Sequence, residues 1–278
     1  MTLKAALSRA RGILAQKAIE DAPLEAELLL RHVLKINRTR LYLDLEQELS
    51  PQDEKAFGHL VERRLSGEPS AYIIGNREFY GRDFHVDSNT LIPRPESELL
   101  VETALRLASD RPLTIADIGT GCGAVAISLA VNLPGVTIYA TDISAPALEV
   151  ARCNCRKHGV ADRIVFLEGD TLKPLPGPVD LIIANLPYVG EPDLRRGGPL
   201  SYEPALALNG GKDGLDMIRT LCRQAGRKIS NRGLILLEIG QGQAETVTAL
   251  FQETFPSARI EVASDLAGIE RIVCLRLT

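Results

Sequence analysis

The tetrapeptide Asn185-Leu186-Pro187-Tyr188 follows directly on the apolar run Val179-Asp180-Leu181-Ile182-Ile183-Ala184. A short apolar run bounded by turn residues reads as a buried strand, so the Asn185 amide stands at a strand's carboxyl end with a Pro-Tyr turn behind it. An amide oxygen and a neighbouring backbone carbonyl together can accept both hydrogens of a planar NH2 group. A group held in that way is a target for a transfer reaction. A second constellation lies upstream, where Ile115-Ala116-Asp117-Ile118-Gly119-Thr120-Gly121-Cys122-Gly123-Ala124 runs from a strand through glycines into a helix expected over Val125 to Val131. Glycines let the backbone turn tightly and a ligand approach, and the helix start presents unsatisfied N–H groups. That is a cofactor loop.

The loop alone leaves the cofactor open. Gly119, Gly121 and Ala124 satisfy a dinucleotide fingerprint, and Asp142 lies at about the distance of a ribose-binding acid, so NAD and S-adenosylmethionine stand level. Asp142 ends the run Val136-Thr137-Ile138-Tyr139-Ala140-Thr141, where a carboxylate can accept both ribose hydroxyls of either cofactor or serve the helix starting at Ser144-Ala145-Pro146. Asp117, immediately ahead of the glycines, suits a cationic amino-acid cofactor better than a pyrophosphate, directly or by ordering the loop. Asp170, in Glu168-Gly169-Asp170-Thr171, ends a third strand, where it can accept from an adenine amine or act as a turn acid. Together these acids favour S-adenosylmethionine.

The elements that must position these residues follow from periodicity. Apolar residues recur at three and four through Leu3, Leu7, Ile13 and Leu14, then Leu24, Leu28, Leu29 and Val33, then Phe57, Leu60, Val61 and Leu65, which predicts a bundle of short helices. Asp21-Ala22-Pro23 and Ser50-Pro51 are helix starts. From Ala71 to Val86 the pattern turns to alternation around Gly81, which predicts a β-hairpin linker. A helix from Glu96 to Ala108 precedes strands at Thr114 to Ile118, Val136 to Thr141, Ile164 to Glu168, Val179 to Ala184 and Gly233 to Ile239, with helices between most of them. Alternation of this kind implies a parallel, doubly wound α/β sheet. Arg259 to Ala263 and Arg271 to Leu277 have no helix between them, so the last strand enters antiparallel at or near an edge. The expected domains are a helical domain over 1–69, a hairpin linker over 70–93 and a catalytic domain over 94–278.

The chain has 278 residues and a formal charge of -4. That balance gives no electrostatic reason to expect nucleic acid as a direct partner. Residues 1–75 carry 11 Lys/Arg and 11 Asp/Glu, a neutral module better suited to protein contact. Five cysteines, with Cys153 and Cys155 two apart in a helical stretch, predict reduced thiols and no metal site, as in a cytoplasmic protein. The start, with Lys4, Arg9 and Arg11, reads as neither signal peptide nor membrane anchor, and a monomer is expected.

With these residues placed, the chain resembles the class I S-adenosylmethionine-dependent methyltransferases. More narrowly it resembles the HemK/PrmC family of peptide-release-factor glutamine N5-methyltransferases. The likeness runs nearly the whole length through Gly67-Glu68-Pro69, Arg77-Glu78-Phe79, Leu91-Ile92-Pro93-Arg94-Pro95-Glu96, Asp117 to Gly123, Asn185 to Tyr188, Tyr202 to Leu208, Gly211-x-Asp213-Gly214-Leu215 and Gly233 to Gly240. It implies a seven-stranded Rossmann-like catalytic sheet, a small helical-bundle domain that engages the release factor, and S-adenosyl-L-homocysteine as the spent cofactor. Gly119, Thr120, Gly121, Cys122 and Gly123 would hold the methionine part of the cofactor, Asp142 its ribose, and Asp170 and Thr171 would lie near adenine. Thr171 departs from an aromatic often found in relatives, and Leu186 departs from the usual Asn-Pro-Pro-Tyr.

The implied substrate is the glutamine of a Gly-Gly-Gln motif in class I release factors. Asn185 and the Leu186 carbonyl would accept its two amide hydrogens, Pro187 would hold Leu186 extended, and Tyr188 would pack on the amide plane. Arg94 and Glu96 would brace the hairpin and cover the cofactor, Glu238 would be structural or line the pocket, and Arg195-Arg196-Gly197-Gly198 would meet the substrate or remain a solvated loop. An adenine N6-methyltransferase acting on RNA or DNA would need the same tetrapeptide after base extrusion. It predicts a basic, aromatic-lined groove, which the absence of Trp and the 4% aromatic content oppose. A non-catalytic S-adenosylmethionine-binding adaptor predicts a damaged acceptor motif, whereas Asn185, Pro187 and Tyr188 are intact.

Overall fold

The structure, a computed structural model, describes residues 1–108, 113–194 and 202–278, so the Arg195-Arg196-Gly197-Gly198 stretch lies outside the described residues. The chain divides into two units, Met1–Asn76 and Arg77–Thr278. In the first, the periodic stretches become α1 (Leu3–Gln16), α2 (Ala22–Leu34), α3 (Arg38–Leu43), α4 (Pro51–Leu65) and α5 (Ser70–Ile74). Thr2, Asn37 and Ser50 cap three of them by accepting from the N–H of Ala5, Arg40 and Asp53, each cap stabilising by about 1 kcal/mol. Leu3, Leu7 and Leu14 of α1 pack with Ala26, Leu29 and Leu30 of α2 and with Phe57 and Val61 of α4. An apolar groove of about 610 Å³ runs between α1 and α4, past Ala10, Ile13, Phe57 and Leu65.

Two local expectations are corrected here. The buried face of α2 is rotated from Leu24 and Leu28 toward Ala22, Ala26, Leu29 and Leu30, and Leu24 is exposed. Glu27 turns inward with that face and is met by Arg31, Arg38 and the Tyr42 hydroxyl, so its buried charge is paired. The segment Ala71 to Gly75 is helix rather than hairpin. Pro69 stands at its start, Gly75 closes it in the left-handed region with its N–H on the Ala71 carbonyl, and Ile73 joins the helical core.

The hairpin itself is β1 (Asn76–Phe79) and β2 (Arg82–His85), joined through Tyr80 and Gly81, both at positive φ. A single 3-10 turn, Pro95–Ser97, leads into α6 (Glu98–Leu107). There follow β3 (Thr114–Ile118), α7 (Ala124–Asn132), β4 (Thr137–Asp142), α8 (Ala145–Lys157), β5 (Ile164–Glu168), β6 (Val179–Ala184), α9 (Glu191–Leu194) and α10 (Ala205–Leu208). The chain ends with α11 (Asp216–Ala225), β7 (Ile229–Glu238), α12 (Ala244–Thr254), β8 (Arg259–Ser264) and β9 (Glu270–Arg276). The large sheet has the order β5-β4-β3-β6-β7-β9-β8. Its first five strands run parallel, and β9 inserts antiparallel between β7 and β8. This is the seven-stranded Rossmann-like sheet expected from the sequence.

Helical crossovers bury such a sheet on both faces, which is why β6 is an almost unbroken apolar run. Ile182 and Leu237 pack with Ile218 and Leu221 of α11 and with Phe251 of α12, each contributing about 1.5–3 kcal/mol through burial. Between Val179 and Leu181, β6 advances two residues while β7 advances five, from Ile229 to Leu234. The ladder expected to begin at Gly233 is therefore extended by a looped-out stretch.

Strand order decides where a ligand fits. From β3 the chain moves outward to β4 and β5, then returns to the other side of β3 as β6. Such a reversal opens a crevice beyond the carboxyl ends of β3 and β6. Ile118 is level with Ala184, so the glycine loop and Asn185 leave the sheet side by side. All five cysteines are free, and no helix among the described residues is long and apolar enough to cross a membrane.

Candidate active site

A cavity of about 230 Å³ occupies this crevice. Gly119, Gly121, Asp142, Asp170, Thr171, Asn185, Leu186 and Pro187 line it. Asp117, Thr120, Cys122, Gly123 and Tyr188, also singled out from the sequence, are not among its lining residues. Residues that sequence reasoning passed over complete the wall, among them Asn89, Ile143 and Met217.

The glycine loop is built by backbone geometry. Gly119, Gly121 and Gly123 have φ of 71°, 56° and 83°, a region costly for residues with a Cβ. The N–H groups of Gly119 and Thr120 both donate to the Thr141 carbonyl, at 2.9 Å each. A Cβ on Gly121 would meet nothing within 4 Å, so this glycine fronts open space. Asp117 lies under the loop, accepting from the Thr120 hydroxyl at 2.7 Å and the Ala126 N–H at 3.2 Å. Burial pushes its carboxyl up to about 6 against those two hydrogen bonds. Of the two roles expected for Asp117, the geometry is that of ordering the loop. Asn154, fully buried in α8, ties the loop to the hairpin by donating to the carbonyls of Cys122 and His85 and accepting from the His85 N–H.

Asp142 faces the cavity. Its Oδ2 accepts from the Gly121 N–H and its Oδ1 from the Ser144 N–H, both at 2.9 Å. Burial raises its pKa, opposed by the N–H groups of Ser144, Gly121 and Ile143. Each carboxylate oxygen keeps a lone pair for a further donor. Asp170 bonds Lys173 and the Thr171 hydroxyl, which hold its carboxyl below the usual range. The exposed Ile143 side chain offers the cavity an apolar face near these acids.

At the end of β6, Asn185 Nδ2 donates to Ser97 Oγ at 3.0 Å. Among the described residues nothing donates to Asn185 Oδ1 or to the Leu186 carbonyl. The Leu186 side chain is buried in the core, 3.5 Å from where a Cβ on Gly119 would lie. An apolar side chain therefore fills this position without using the carbonyl. Behind Asn185, Glu238 ends β7 and is 2% exposed. Burial lifts its carboxyl to about 7 while hydrogen bonding from Ser97 and Asn185 pulls the other way. Burial, and then the Glu238 charge, raise the pKa of Tyr188.

The turn after Asn185 is clamped from two sides. Gln243 donates to the Tyr188 carbonyl at 3.2 Å and accepts from the Gly240 N–H at 2.8 Å. Val189 donates to the Leu208 carbonyl and its own carbonyl accepts from Gly210, while Gly214 packs against the Tyr188 backbone. A Cβ on Gly214, at φ 80°, would lie 2.3 Å from the Tyr188 oxygen and 2.9 Å from Gln243 Nε2. Gly214→Ala is expected to destabilise the protein by about 1–3 kcal/mol through backbone strain and displacement of the turn. Urea unfolding of the two proteins checks this, and an unchanged midpoint would mean that the clamp tolerates a methyl group.

Arg94 pairs with buried Glu203, which also accepts from the Ile92 N–H at 3.0 Å, while Arg94 donates to the Ile92 carbonyl at 3.0 Å. This pairing fastens Pro93-Arg94-Pro95 close to the segment that supplies Pro204 and Leu206 to the cavity wall. Ser97, Glu203, Asn154 and Gln243 were not found by sequence reasoning as members of the site. Glu238 alone carried a signal, as an acid ending an apolar run.

Residues 5–75 match a family model described as the PrmC N-terminal domain, and residues 95–195 one described as the methyltransferase small domain. The release factor glutamine methyltransferase of Moorella thermoacetica is 43% identical to this chain over 275 residues, covering 98% of the chain and 97% of the relative. That of Geobacter sulfurreducens is 39% identical over 275 residues, covering 98% and 95%. Among solved structures, a methyltransferase from Pyrococcus furiosus has a TM-score of 0.54 at 18% identity, covering 77% of this chain and 96% of that one, a likeness of fold. Near-complete coverage at this identity, over a cavity joining a glycine loop to an Asn-x-Pro-Tyr turn, places the chain in the HemK/PrmC family of release factor glutamine methyltransferases.

Proposed function

We propose that this protein transfers a methyl group from S-adenosylmethionine to the side-chain amide nitrogen of the glutamine in the Gly-Gly-Gln motif of class I release factors. The observation that carries the reading is a pair of acceptors, Asn185 Oδ1 and the Leu186 carbonyl, to which nothing donates among the described residues, at the wall of the cavity that the glycine loop borders. Two acceptors side by side suit a planar NH2 group and nothing that lacks two donors.

The residues present fit the cofactor. Gly121 leaves the loop open toward the cavity, Asp142 keeps lone pairs for ribose hydroxyls, and Ile143 offers a face for adenine. Bound there, S-adenosylmethionine supplies an electrophilic methyl group on a sulfonium. The chain's part is to orient the nucleophile. An amide nitrogen is a poor nucleophile because its lone pair is delocalised into the carbonyl, and two acceptors on its hydrogens hold that nitrogen in place as charge develops. Buried Leu186 excludes water on one side of the acceptor pair, which strengthens both hydrogen bonds. Tyr188, half-buried beside Gly240, would cover the amide plane. The helical unit, with its neutral charge and the apolar groove between α1 and α4, would engage the release factor.

Incubation of the purified protein with isotopically labelled S-adenosylmethionine and either an intact release factor or ribosomal RNA tests the reading, with mass spectrometry locating the label. Label on the Gly-Gly-Gln glutamine is the expected result. Label confined to adenine amines in RNA would overturn it.

A further inference from the structure

Glu238 poses a question that acceptor geometry alone does not answer. It is the last residue of β7 and, because Leu237 is level with Ala184, it stands level with Asn185. Its carboxyl is buried beside Ser97 and Asn185, and its Oε2 has no hydrogen-bond partner among the described residues. A buried carboxylate without full pairing destabilises a fold, and such groups concentrate where function needs them.

We propose that Glu238 is a positioning residue for methyl transfer, acting through Ser97 to fix the Asn185 amide with its oxygen turned to the substrate. The proposal rests on the glutamine-amide reading above. Ser97 Oγ accepts from Asn185 Nδ2, so its own proton needs an acceptor, and the Glu238 carboxylate is beside it. With Glu238 ionised, donation runs in one direction, from Asn185 to Ser97 to Glu238, and Oδ1 is left for the incoming N–H. With Glu238 protonated, its O–H competes as a donor to Ser97, and the Ser97 proton turns toward Asn185. An amide facing a donor presents its oxygen to it. Asn185 then flips, and its NH2 opposes the substrate NH2.

The surroundings set where this change occurs. The Glu238 carboxyl is raised to about 7, chiefly by burial and also by the Glu96 charge, while hydrogen bonding from Ser97 and Asn185 and the Arg271 charge oppose the rise. Arg271 is itself engaged by Asp265 at 3.0 Å, and Tyr188 faces Glu238 from the turn after β6. Transfer therefore gains as pH rises through the Glu238 titration and is lost as pH falls through it.

Single-turnover methylation of an intact release factor, followed from about pH 6 to about pH 9 with the full-length protein, tests the proposal. Wild type is expected to show a rise near neutrality. Glu238→Gln should lose that rise, run about threefold to tenfold slower at high pH, as for the loss of one neutral hydrogen bond, and keep its cofactor affinity. Glu238→Asp should retain an inflection. A Glu238→Gln protein with wild-type rate and an unmoved inflection would overturn the positioning role. If Glu238→Gln melts well below wild type, Ser97→Ala carries the same test, since cutting the relay at its middle should flatten the profile too, and a wild-type profile in Ser97→Ala would overturn the proposal. If the wild type methylates another planar NH2 group instead of glutamine, the profiles are taken on that substrate, which separates failure of the substrate reading from failure of the relay.

Discussion

Asn185→Ala is expected to lower methyl transfer by at least about a hundredfold while leaving S-adenosylmethionine affinity within about threefold. The size follows from what is removed. Oδ1 is one of the two acceptors that would hold the substrate NH2, and without it the substrate amide is held by the Leu186 carbonyl alone and can rotate about that single bond. Misplacement of a nucleophile by about 1 Å is enough for a hundredfold loss. Cofactor affinity is spared because the glycine loop and Asp142 depend on Thr141, Ser144 and each other rather than on Asn185. The variant leaves Ser97 and Glu238 without an amide donor, so a modest drop in melting temperature is expected as well. Single-turnover transfer measured beside calorimetric cofactor titration separates the effects. Wild-type turnover in the variant would remove Asn185 from the chemistry.

The parts of this site that were legible in the sequence are those set by local physics. β3 and β6 fall where their apolar runs end in Gly or Asn, because a strand buried on both faces leaves an apolar signature in the chain. Ser50 was recognisable as a cap, since capping is decided within four residues. Ala71 to Gly75 misled because an aromatic beside two isoleucines imitates alternation. Pro69 and Gly75, a helix opener and closer, were the better guide.

What stayed hidden depends on residues far apart in sequence. Glu203 reaches Arg94 across 109 positions and Ser97 reaches Asn185 across 88, and no local pattern records either pairing. Asp117 and Asp142 are two acids near the carboxyl ends of neighbouring strands. Their sequence settings are alike, but a hydroxyl and an N–H enclose the first under the loop while the second opens on the cavity. Leu186 is the converse case. As a letter it departs from the family pattern, yet its side chain is buried in the core and nothing among the described residues donates to its carbonyl.

Asp142→Ala is expected to weaken S-adenosylmethionine binding by about 10- to 150-fold, the equivalent of the 1.5–3 kcal/mol of a charge-assisted hydrogen bond. Two effects contribute, because the carboxylate already accepts from Gly121 and Ser144. One is loss of an acceptor for the ribose hydroxyls, and the other is release of the Gly121 N–H and loosening of the loop. A cofactor analogue lacking the ribose hydroxyls tells them apart. If Asp142 holds the ribose, the penalty of Asp142→Ala largely disappears with the analogue, as a double-mutant cycle requires of two groups in contact. An undiminished penalty would assign Asp142 to the loop alone. The pH dependence carries the same sign. The ionised carboxylate is the form that accepts on both oxygens, so affinity is present above the Asp142 pKa and lost as pH falls through it. Burial raises that pKa, so the loss should begin at a higher pH than for an ordinary aspartate and be absent from Asp142→Ala. Titration calorimetry of both proteins at several pH values reads the difference, and parallel pH profiles would exclude Asp142 as the group responsible.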